Sequence, residues 1–355
     1  MKFQKNIISK NAFSENVLEK KIFFKKYINI ITSHHYKNSF YYKNYLNNIG
    51  YKINQNNDIK DIPFIPVRLF KELDLISINK NSIFKTLFSS GTTKNGLSKI
   101  YLDKTNALNQ IKVLKKIFEE LIGNTRYPML VIDKKIKNQS RHNFNASVAA
   151  VNGFSIFAKN ISYLLDDNEN IDYKILKNFL ARNANQKFLI FGFTYNVYIN
   201  LLKKLDPNKV DVKLFKKSIL IHGGGWKKLD NLKVNTRTFN LMLKKKLNIS
   251  LVRNYYGLIE QIGSIFFECK CGYFIPSNFS EIIIRDENLN ECKEGEKGFI
   301  QLLSLLPTSY PGHSILTEDI GEIVNESTCK CFGIGKRFKV YGRLKNAEIR
   351  GCSNI

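Results

Sequence analysis

The chain of 355 residues has few acidic residues and no long apolar run. Asp and Glu number 30 against 56 Lys and Arg, so the formal net charge is +26. The longest apolar candidate, Phe299–Leu306, contains Gln301 and Ser304, and no stretch approaches the roughly 20 residues that span a bilayer. The opening, Met1–Lys10, lacks the apolar core of a secretory signal. We therefore expect a soluble, cytoplasmic protein without a transmembrane segment.

Cysteine is absent from the first 268 residues, and the whole chain has six. Six cysteines in a chain of this length do not make a disulfide scaffold, and their clustering indicates a local role. Hydrophobic residues make up 43% and aromatic residues 12%, which excludes a wholly disordered or fibrous protein.

The positive charge suits three kinds of partner: a nucleic acid, a membrane surface or an acidic protein. The lysines are scattered among Asn and Ile rather than gathered in one segment. This scatter favours a general bias of composition over a dedicated polyanion site, and we predict no nucleic-acid partner.

Short β-rich runs alternate with helical stretches in the middle of the chain, which predicts an α/β fold with a largely parallel sheet. The predicted strands are Tyr127–Ile132, Lys187–Phe193, Ser218–Ile221 and Ile282–Arg285. The predicted helices are Lys104–Leu121, Tyr173–Ala184, Tyr195–Leu205 and Thr236–Leu247. Phe299–Leu306 reads as a buried strand.

Three segments are expected along the chain. Residues 1–80 form a helical segment packed on the core, with short helices such as Val17–Thr32 and an extended turn between Pro63 and Pro66. Residues 81–340 form the core, in which 266–335 are a Cys-rich β region, and residues 341–355 form a tail.

One segment has the composition of a phosphate-binding loop. Leu87–Ile100 begins as a strand-like run and continues with hydroxyls, Gly and Lys. Phosphate binding needs backbone N–H donors in a tight loop, hydroxyl donors and a cation, and all three are present. The Walker A pattern is absent, so this is not a P-loop. A polar surface turn is the alternative.

Two Cys-x-Cys pairs predict a metal site: Cys269 with Cys271, and Cys329 with Cys331. Four thiolates suit tetrahedral Zn²⁺ in a structural role, although the spacing within each pair is tighter than usual. Buried thiols without metal are one alternative, and a site that uses Cys292 is another.

Three later motifs are each weak evidence of function. Their order along the chain, after the predicted phosphate-binding loop, makes them informative together. They are Asn254–Glu260, Leu316–Glu322 and Val340–Gly351. A Ser–His–Asp hydrolase is not indicated, because no Gly-x-Ser-x-Gly pentapeptide is present.

In this order, the motifs resemble those of the adenylate-forming (acyl-activating) enzyme superfamily. Within it, the chain is similar to acyl-protein synthetases of the LuxE type, with phenylacetate–CoA ligases as nearer cousins. The resemblance covers roughly residues 60–355, and the segments most like LuxE are Ile62–Lys71, Phe191–Tyr195, Ile221–Lys228 and Ser309–Asp319. It implies mixed sheets with helices and a β-rich C-terminal portion. Since the chain ends about ten residues after its Gly-Arg motif, we expect the usual C-terminal lid domain to be missing.

The resemblance also implies which residues bind Mg-ATP. The phosphates are assigned to Ser89, Ser90, Gly91, Thr92, Thr93 and Lys99. The adenine is assigned to Gly223, Gly224, Gly225 and Tyr256. Glu260 would bind Mg²⁺, Asp319 would accept hydrogen bonds from the ribose hydroxyls, and Arg343 would lie near the ribose and phosphates.

LuxE-type enzymes resemble this chain in placing an acyl-accepting cysteine close to the C-terminus, here Cys352. Neighbouring Arg343, Lys345 and Arg350 should lower the pKa of this thiol and favour the nucleophilic thiolate. The alternative is a surface thiol without a function.

The resemblance therefore implies ATP-dependent activation of a carboxylic acid, and specifically a fatty acid, to acyl-AMP. The acyl group would pass to Cys352 and on to a protein partner, either a fatty-acid-reductase-like protein or an acyl carrier protein. The positive charge would attract an acidic carrier. An acyl- or aryl-CoA ligase and an acyl–carrier-protein synthetase are the nearby alternatives. A non-catalytic basic module that binds RNA or protein is the alternative of another class.

Overall fold

The computed structural model describes residues 2–13, 16–54, 56–89, 96–135, 146–226, 234–324, 331 and 335–343. Contacts group these residues into two compact units. The antiparallel unit contains the described residues up to Gly123 and those from Gly257 onward, and the parallel unit is Asn124–Tyr256. The segment boundaries that we expect at residues 80 and 340 stay predictions.

The described residues form both helices and strands. The helices are α1 (Lys2–Ser9), α2 (Val17–Asn38), α3 (Phe40–Asn48), α4 (Leu69–Glu72), α5 (Lys104–Ile122), α6 (Ala146–Ser155), α7 (Tyr173–Arg182), α8 (Thr194–Asn196) and α9 (Thr236–Leu247). The first eight strands are β1 (Ile65–Pro66), β2 (Lys85–Phe88), β3 (Lys99–Leu102), β4 (Tyr127–Lys134), β5 (Ala158–Leu165), β6 (Phe188–Phe193), β7 (Ser218–Gly223) and β8 (Leu251–Tyr256). The others are β9 (Phe266–Glu268), β10 (Phe274–Ile275), β11 (Ser280–Arg285), β12 (Lys297–Ser304), β13 (Ser314–Val324) and β14 (Arg337–Arg343).

Tighter and wider helical turns complete the secondary structure. A π-helical segment, Val197–Lys204, continues α8. Short 3-10 helices lie at Ile59–Asp61, Lys80–Ser82, Pro207–Lys209, Val212–Lys217 and Ile259–Gln261. Among the described residues, no helix combines the length and the apolar character that crossing a bilayer requires.

The parallel unit contains a sheet with the strand order β8-β7-β6-β4-β5, in which all neighbours run parallel. Every residue of β6 and β7 is buried, as expected for central strands of a parallel sheet whose faces are both covered. The predicted strands Tyr127–Ile132, Lys187–Phe193 and Ser218–Ile221 are therefore confirmed.

Local capping determines where the helices of the parallel unit begin and end. The Asn235 side chain accepts a hydrogen bond from the Thr238 N–H, and Asn248 adopts a left-handed conformation at φ 57°, so α9 has the predicted bounds. Asp172 likewise accepts a hydrogen bond from the Ile175 N–H at the start of α7. That helix ends at Arg182, two residues earlier than predicted.

The antiparallel unit contains a sheet with the order β11-β12-β13-β14-β10-β9, in which neighbouring strands run antiparallel. Strand β1 pairs parallel with β13, and β2 pairs with β3 in a separate hairpin. The β-rich C-terminal portion and the buried strand predicted at Phe299–Leu306 are confirmed, the latter as β12.

Helix α2 ends at Asn38, beyond the predicted end at Thr32, and the polar side chains that it buries have hydrogen-bond partners. Thr32 donates a hydrogen bond to the Ile28 carbonyl at 2.8 Å. His35 contacts the Ser77 hydroxyl at 2.7 Å and is fully buried. Thr32 and His35 are therefore satisfied inside the core although both are polar.

Candidate active-site residues

Two predicted nucleotide-binding residues are cross-strand neighbours in the antiparallel unit. Asp319 on β13 is paired in register with Arg343 on β14. The Arg343 Nε lies 3.6 Å from an Asp319 carboxylate oxygen; Asp319 is buried, whereas Arg343 is exposed. The Asp319 N–H donates to the Thr317 hydroxyl, which itself donates to the Ile300 carbonyl. The sheet thus presents one carboxylate and one guanidinium together at the end of a strand pair.

Glu260 lies on the short helical turn Ile259–Gln261 and is buried. Gln261 fixes this turn by donating to the carbonyls of Leu302 and Gly312, at 3.2 and 2.9 Å. A Cβ at Gly312 would come within 2.8 Å of the Glu260 carbonyl, so only glycine allows this approach. Burial and the Glu260 carboxylate raise the pKa of the neighbouring Tyr310 well above its usual range.

The predicted phosphate loop connects β2 and β3, which form an antiparallel hairpin. At its base the buried Ser89 accepts a hydrogen bond through its hydroxyl from the Ser98 N–H at 2.9 Å. Lys99 forms an ion pair with Asp74 at 3.3 Å, and both side chains are about half exposed. The Tyr101 hydroxyl and Lys99 lower the pKa of Asp74, which keeps this carboxylate ionised beside the lysine.

The glycine turn, defined as Gly223–Gly225, begins with the last residue of β7 in the parallel unit. A Cβ at Gly223 would lie 2.5 Å from the Tyr255 ring, so this position excludes any other residue. Gly224 has φ +75°, a conformation that L side chains rarely adopt. Gly224 and Gly225 are exposed, and the predicted Tyr256 is half-buried as the last residue of β8. The turn therefore presents bare backbone to its surroundings.

Tyr255 is a structural residue that the motifs of the sequence did not single out. Its ring packs against Phe154 at a centroid distance of 5.1 Å and stacks with Phe191 at 6.3 Å. The sequence shows two consecutive tyrosines before Gly257 but does not show which of them packs against the glycine turn. The structure answers this, because the Tyr255 ring faces Gly223.

Three cysteines converge in the antiparallel unit: Cys269, Cys271 and Cys331. Their sulfur atoms all lie within 4.8 Å of one another, and the Cys271 and Cys331 sulfurs are 3.7 Å apart. Tetrahedral coordination at about 2.3 Å from Zn²⁺ places two sulfurs about 3.8 Å apart, whereas a disulfide needs about 2.05 Å. The spacing fits metal ligands.

The pairing of β10 with β14 brings the two cysteine segments together. Cys269 and Cys271 lie in the turn between β9 and β10, where Gly272 has φ +85° and its N–H donates to the Cys269 carbonyl at 3.0 Å. Strand β10 pairs with β14, which begins shortly after Cys331. Cys292 lies apart from this group, with its sulfur 4.0 Å from the Lys297 carbonyl oxygen.

Six predicted site residues lie outside the described part of the chain. They are Ser90, Gly91, Thr92, Thr93, Cys329 and Cys352. Their roles stay predictions.

A profile of the acyl-protein synthetase (LuxE) family matches residues 2–355. The chain belongs to this family. The long-chain-fatty-acid--luciferin-component ligase of Aliivibrio fischeri is 25% identical over 335 residues, which cover 90% of this chain and 84% of that protein. The protein of the same name from Vibrio harveyi is 21% identical over 337 residues, covering 90% and 83%.

Solved structures show that this LuxE-family chain has the fold of an adenylate-forming ligase. An open conformation of 2-hydroxyisobutyryl-CoA ligase, in complex with 2-HIB-AMP and CoA, matches with TM-score 0.71 at 12% identity, over 94% of this chain and 77% of that chain. The same enzyme in the postadenylation state with R3-HIB-AMP gives TM-score 0.72 at 12% identity, over 94% and 69%. The predicted fold is confirmed, and the expected absence of a lid domain stays a prediction.

Family membership also decides the class of activity. This LuxE-family protein is an acid-activating ligase, and its substrate is a carboxylic acid. The alternatives of a CoA ligase and of a non-catalytic basic module are not favoured.

Proposed function

We propose that this acyl-protein synthetase activates a long-chain fatty acid with ATP and transfers the acyl group through Cys352 to a partner protein. The match to the acyl-protein synthetase family over residues 2–355 carries the proposal. Two relatives named as long-chain-fatty-acid ligases support the choice of acid.

In the first step a carboxylate oxygen of the fatty acid attacks the α-phosphorus of ATP. The bond between the α-phosphorus and the bridging oxygen breaks, and pyrophosphate leaves with the electron pair. In the second step the Cys352 thiolate attacks the acyl carbon, a C–S bond forms, and AMP leaves with the electrons of the broken C–O bond. The resulting thioester transfers the acyl group to the partner.

The chemistry of the predicted residues suits a nucleotide. The glycine turn offers bare backbone for adenine, and Tyr256 offers a ring. Asp319 provides acceptors for two ribose hydroxyls, and Arg343, already close to Asp319, provides a cation for phosphate. Ser89–Thr93 and Lys99 add hydroxyl and backbone donors and a second cation. We assign ATP binding to these residues.

Glu260 is the residue that we assign to Mg²⁺. Its carboxylate is a hard oxygen donor, and the hydrogen bonds of Gln261 hold its turn in place, so the residue suits this cation. Bound Mg²⁺ neutralises negative charge on the phosphate oxygens. Glu260→Gln should therefore raise the Mg²⁺ concentration that gives half-maximal turnover.

We further propose a structural Zn²⁺ held by Cys269, Cys271, Cys329 and Cys331. The three described members fit the sulfur spacing of tetrahedral coordination, and Cys329 supplies a fourth thiolate two residues from Cys331. Elemental analysis of the purified chain should give about one zinc per chain, and Cys271→Ser should lower this ratio. Cys292→Ser, which changes a cysteine outside the group, is the matched control. A metal-free protein with unchanged thermal stability would contradict the proposed zinc site.

The acceptor that we propose is an acidic protein. A net charge of +26 favours encounters with a negatively charged partner and makes their rate sensitive to salt. Transfer of the acyl group from the enzyme to such a partner should slow as ionic strength rises, whereas formation of acyl-AMP should change little. If ionic strength slowed both steps equally, electrostatic attraction between the enzyme and an acidic partner would be contradicted.

Intact mass measurement tests the central proposal. The purified protein is incubated with Mg-ATP and a panel of fatty and aryl acids, and Cys352→Ser and Cys292→Ser are treated in parallel. We expect a mass gain of one acyl group with a long-chain acid, which hydroxylamine removes. The gain should persist in Cys292→Ser and disappear in Cys352→Ser.

The other outcomes separate the two steps. Conversion of ATP to AMP without an adduct would retain the activation step and transfer the acceptor role to an external thiol. Absence of both with every acid would overturn the proposed substrate class.

A further inference from the structure

Thr194 is a buried residue that the assigned chemistry does not use. It is the first residue of α8, directly after β6, and is 5% exposed. Its hydroxyl lies 3.1 Å from the Gly223 carbonyl oxygen and 2.9 Å from the Gly224 carbonyl oxygen. The same hydroxyl lies 2.9 Å from Nδ1 of His222. One side chain therefore contacts three consecutive residues at the end of β7.

The hydrogen-bonding capacity of the hydroxyl determines the direction of these contacts. A threonine hydroxyl has one hydrogen to donate, and a carbonyl oxygen can only accept. The hydrogen of Thr194 must serve the carbonyls of Gly223 and Gly224, so His222 Nδ1 carries a hydrogen and donates to Thr194. Burial lowers the pKa of His222 to about 3, so the ring is neutral with its hydrogen on Nδ1.

The glycine turn needs such support because sterics require glycine here and glycine loses much backbone entropy when it is fixed. Gly223 is confined by the Tyr255 ring, which lies 2.5 Å from the position of a Cβ. Gly224 turns at φ +75°, and its Cβ position would lie 3.1 Å from the Phe193 ring. Glycine has the largest backbone freedom of any residue, so a turn of consecutive glycines loses much entropy when it is held in one conformation. Hydrogen bonds from a buried, fixed side chain offset that loss.

We propose that Thr194 is a positioning residue that holds the glycine turn in the conformation that binds the adenine of ATP. This rests on the proposed function for the ligand, while the hydrogen bonds within Asn124–Tyr256 do not depend on it. Thr194 acts through the carbonyls of Gly223 and Gly224 and contacts no reacting atom.

Steady-state kinetics with three variants test the proposal. Thr194→Val keeps the shape and removes the hydroxyl, and Thr194→Ser keeps the hydroxyl. Ser218→Ala is the matched control, because Ser218 is buried at the opposite end of the same strand and donates to the Phe215 carbonyl at 2.7 Å. We expect the KM for ATP to rise about fivefold in Thr194→Val, the effect of losing one ordinary hydrogen bond, with kcat within about twofold.

Thr194→Ser should restore the KM for ATP to within about twofold of the wild type, and Ser218→Ala should leave it unchanged. An unchanged KM in Thr194→Val would overturn the proposal. A fall in kcat alone, or an equal effect of Ser218→Ala, would show a general loss of structure and would overturn it as well.

Nitrogen-15 NMR of histidine-labelled protein provides a readout that needs no ATP. We expect His222 to show its hydrogen on Nδ1 in the wild type and in Thr194→Ser, and to populate the other tautomer in Thr194→Val, because the acceptor is gone. His222→Asn identifies the signal. A wild-type ring protonated on Nε2 would contradict the hydrogen-bond assignment. If the wild type does not use ATP, the proposed function and the adenine role fail, while the NMR result still decides the direction of the hydrogen bond between His222 and Thr194.

Discussion

The two units differ in the charged side chains that they bury: among the described residues, every buried Asp, Glu, Lys and Arg lies in the antiparallel unit. In the parallel unit the centre of the sheet is apolar, as in Phe188, Leu189 and Ile190 on β6. In the antiparallel unit the buried strands β12 and β13 include Gln301, whose amide donates to the Ser314 hydroxyl and whose oxygen accepts from Arg285, and Asp319 beside Arg343. Apolar packing depends on volume, whereas paired polar groups depend on charge and on each partner being present. Different substitutions and conditions should therefore lower the stability of each unit.

The largest effect should come from opening a cavity in the parallel unit. Phe188 is fully buried on β6 and meets Phe179 edge-on at a centroid distance of 5.3 Å. Phe188→Ala should lower the free energy of unfolding of this unit by about 4 kcal/mol, because it removes the ring and leaves a void. Urea denaturation followed by hydrogen exchange of peptides from Asn124–Tyr256 measures this loss.

Phe188→Leu is the control, since it keeps most of the volume and should cost less than half as much. Equal losses from both variants would show that volume is not what stabilises the sheet.

The next largest effect should come from breaking a buried ion pair in the antiparallel unit. Lys20 on α2 lies 3.5 Å from Glu281 on β11, and both side chains are shielded from solvent. Glu281→Gln should cost about 3 kcal/mol in free energy of unfolding, because Lys20 stays buried without its counter-charge. Chemical denaturation measures the loss.

The double variant Lys20→Met/Glu281→Leu removes both charges and should recover most of that stability. A double variant that is less stable than Glu281→Gln would show that the pair itself, rather than a stranded charge, stabilises the contact.

Acid should destabilise the antiparallel unit more than the parallel unit. Burial lowers the pKa of His34, His35 and His313 in the antiparallel unit, to about 3 for His313, and that of His222 in the parallel unit to about 3. Each ring is neutral when folded, but the unfolded chain takes up the proton near pH 6.5. Stability is therefore lost as pH falls below 6.5, by up to about 1.4 kcal/mol per pH unit for each histidine, and for His222 and His313 the loss levels off near pH 3.

Hydrogen exchange measured between pH 6.5 and pH 4 should show the antiparallel unit losing stability more steeply than the parallel unit. His313→Asn should reduce that slope, and His222→Asn should flatten the slope of the parallel unit. Slopes that do not respond to these substitutions would assign the acid sensitivity to other groups.

The smallest effect should come from surface pairs, in which the two units do not differ. Lys134 and Glu169 in the parallel unit are 2.7 Å apart, and both are about half exposed. Lys134→Ala should change the free energy of unfolding by less than about 0.5 kcal/mol, because water and salt screen the pair. Thermal denaturation at low and high salt checks this, and a loss above about 1 kcal/mol would contradict it.

The central strands of the parallel unit were predictable because a strand buried on both faces is a continuous apolar run. Strand β5 escaped prediction since Lys159, Asn160 and Ser162 interrupt its apolar pattern, as the exposed side of an edge strand allows. The bounds of α9 followed from local residues, with Asn235 and Asn248 capping its ends.

The candidate site was predictable in its residue types and not in its contacts. The pairing of Asp319 with Arg343 depends on the register of β13 and β14, which includes an irregularity between Ile320 and Gly321. No local pattern encodes a pairing between residues so far apart in the chain. For the same reason the ion pair of Lys99 with Asp74 and the contact of Thr194 with the glycine turn emerged only from the structure.

The position of the single tryptophan gives this chain a built-in optical probe. Trp226 directly follows the glycine turn, is nearly buried, and packs between Tyr198 and Phe239 at centroid distances of 5.0 and 5.8 Å. With no second indole to dilute the signal, its emission reports on one place in the molecule. A titration with ATP can therefore be followed in the unlabelled protein, and the fluorescence change would measure occupancy beside the turn directly.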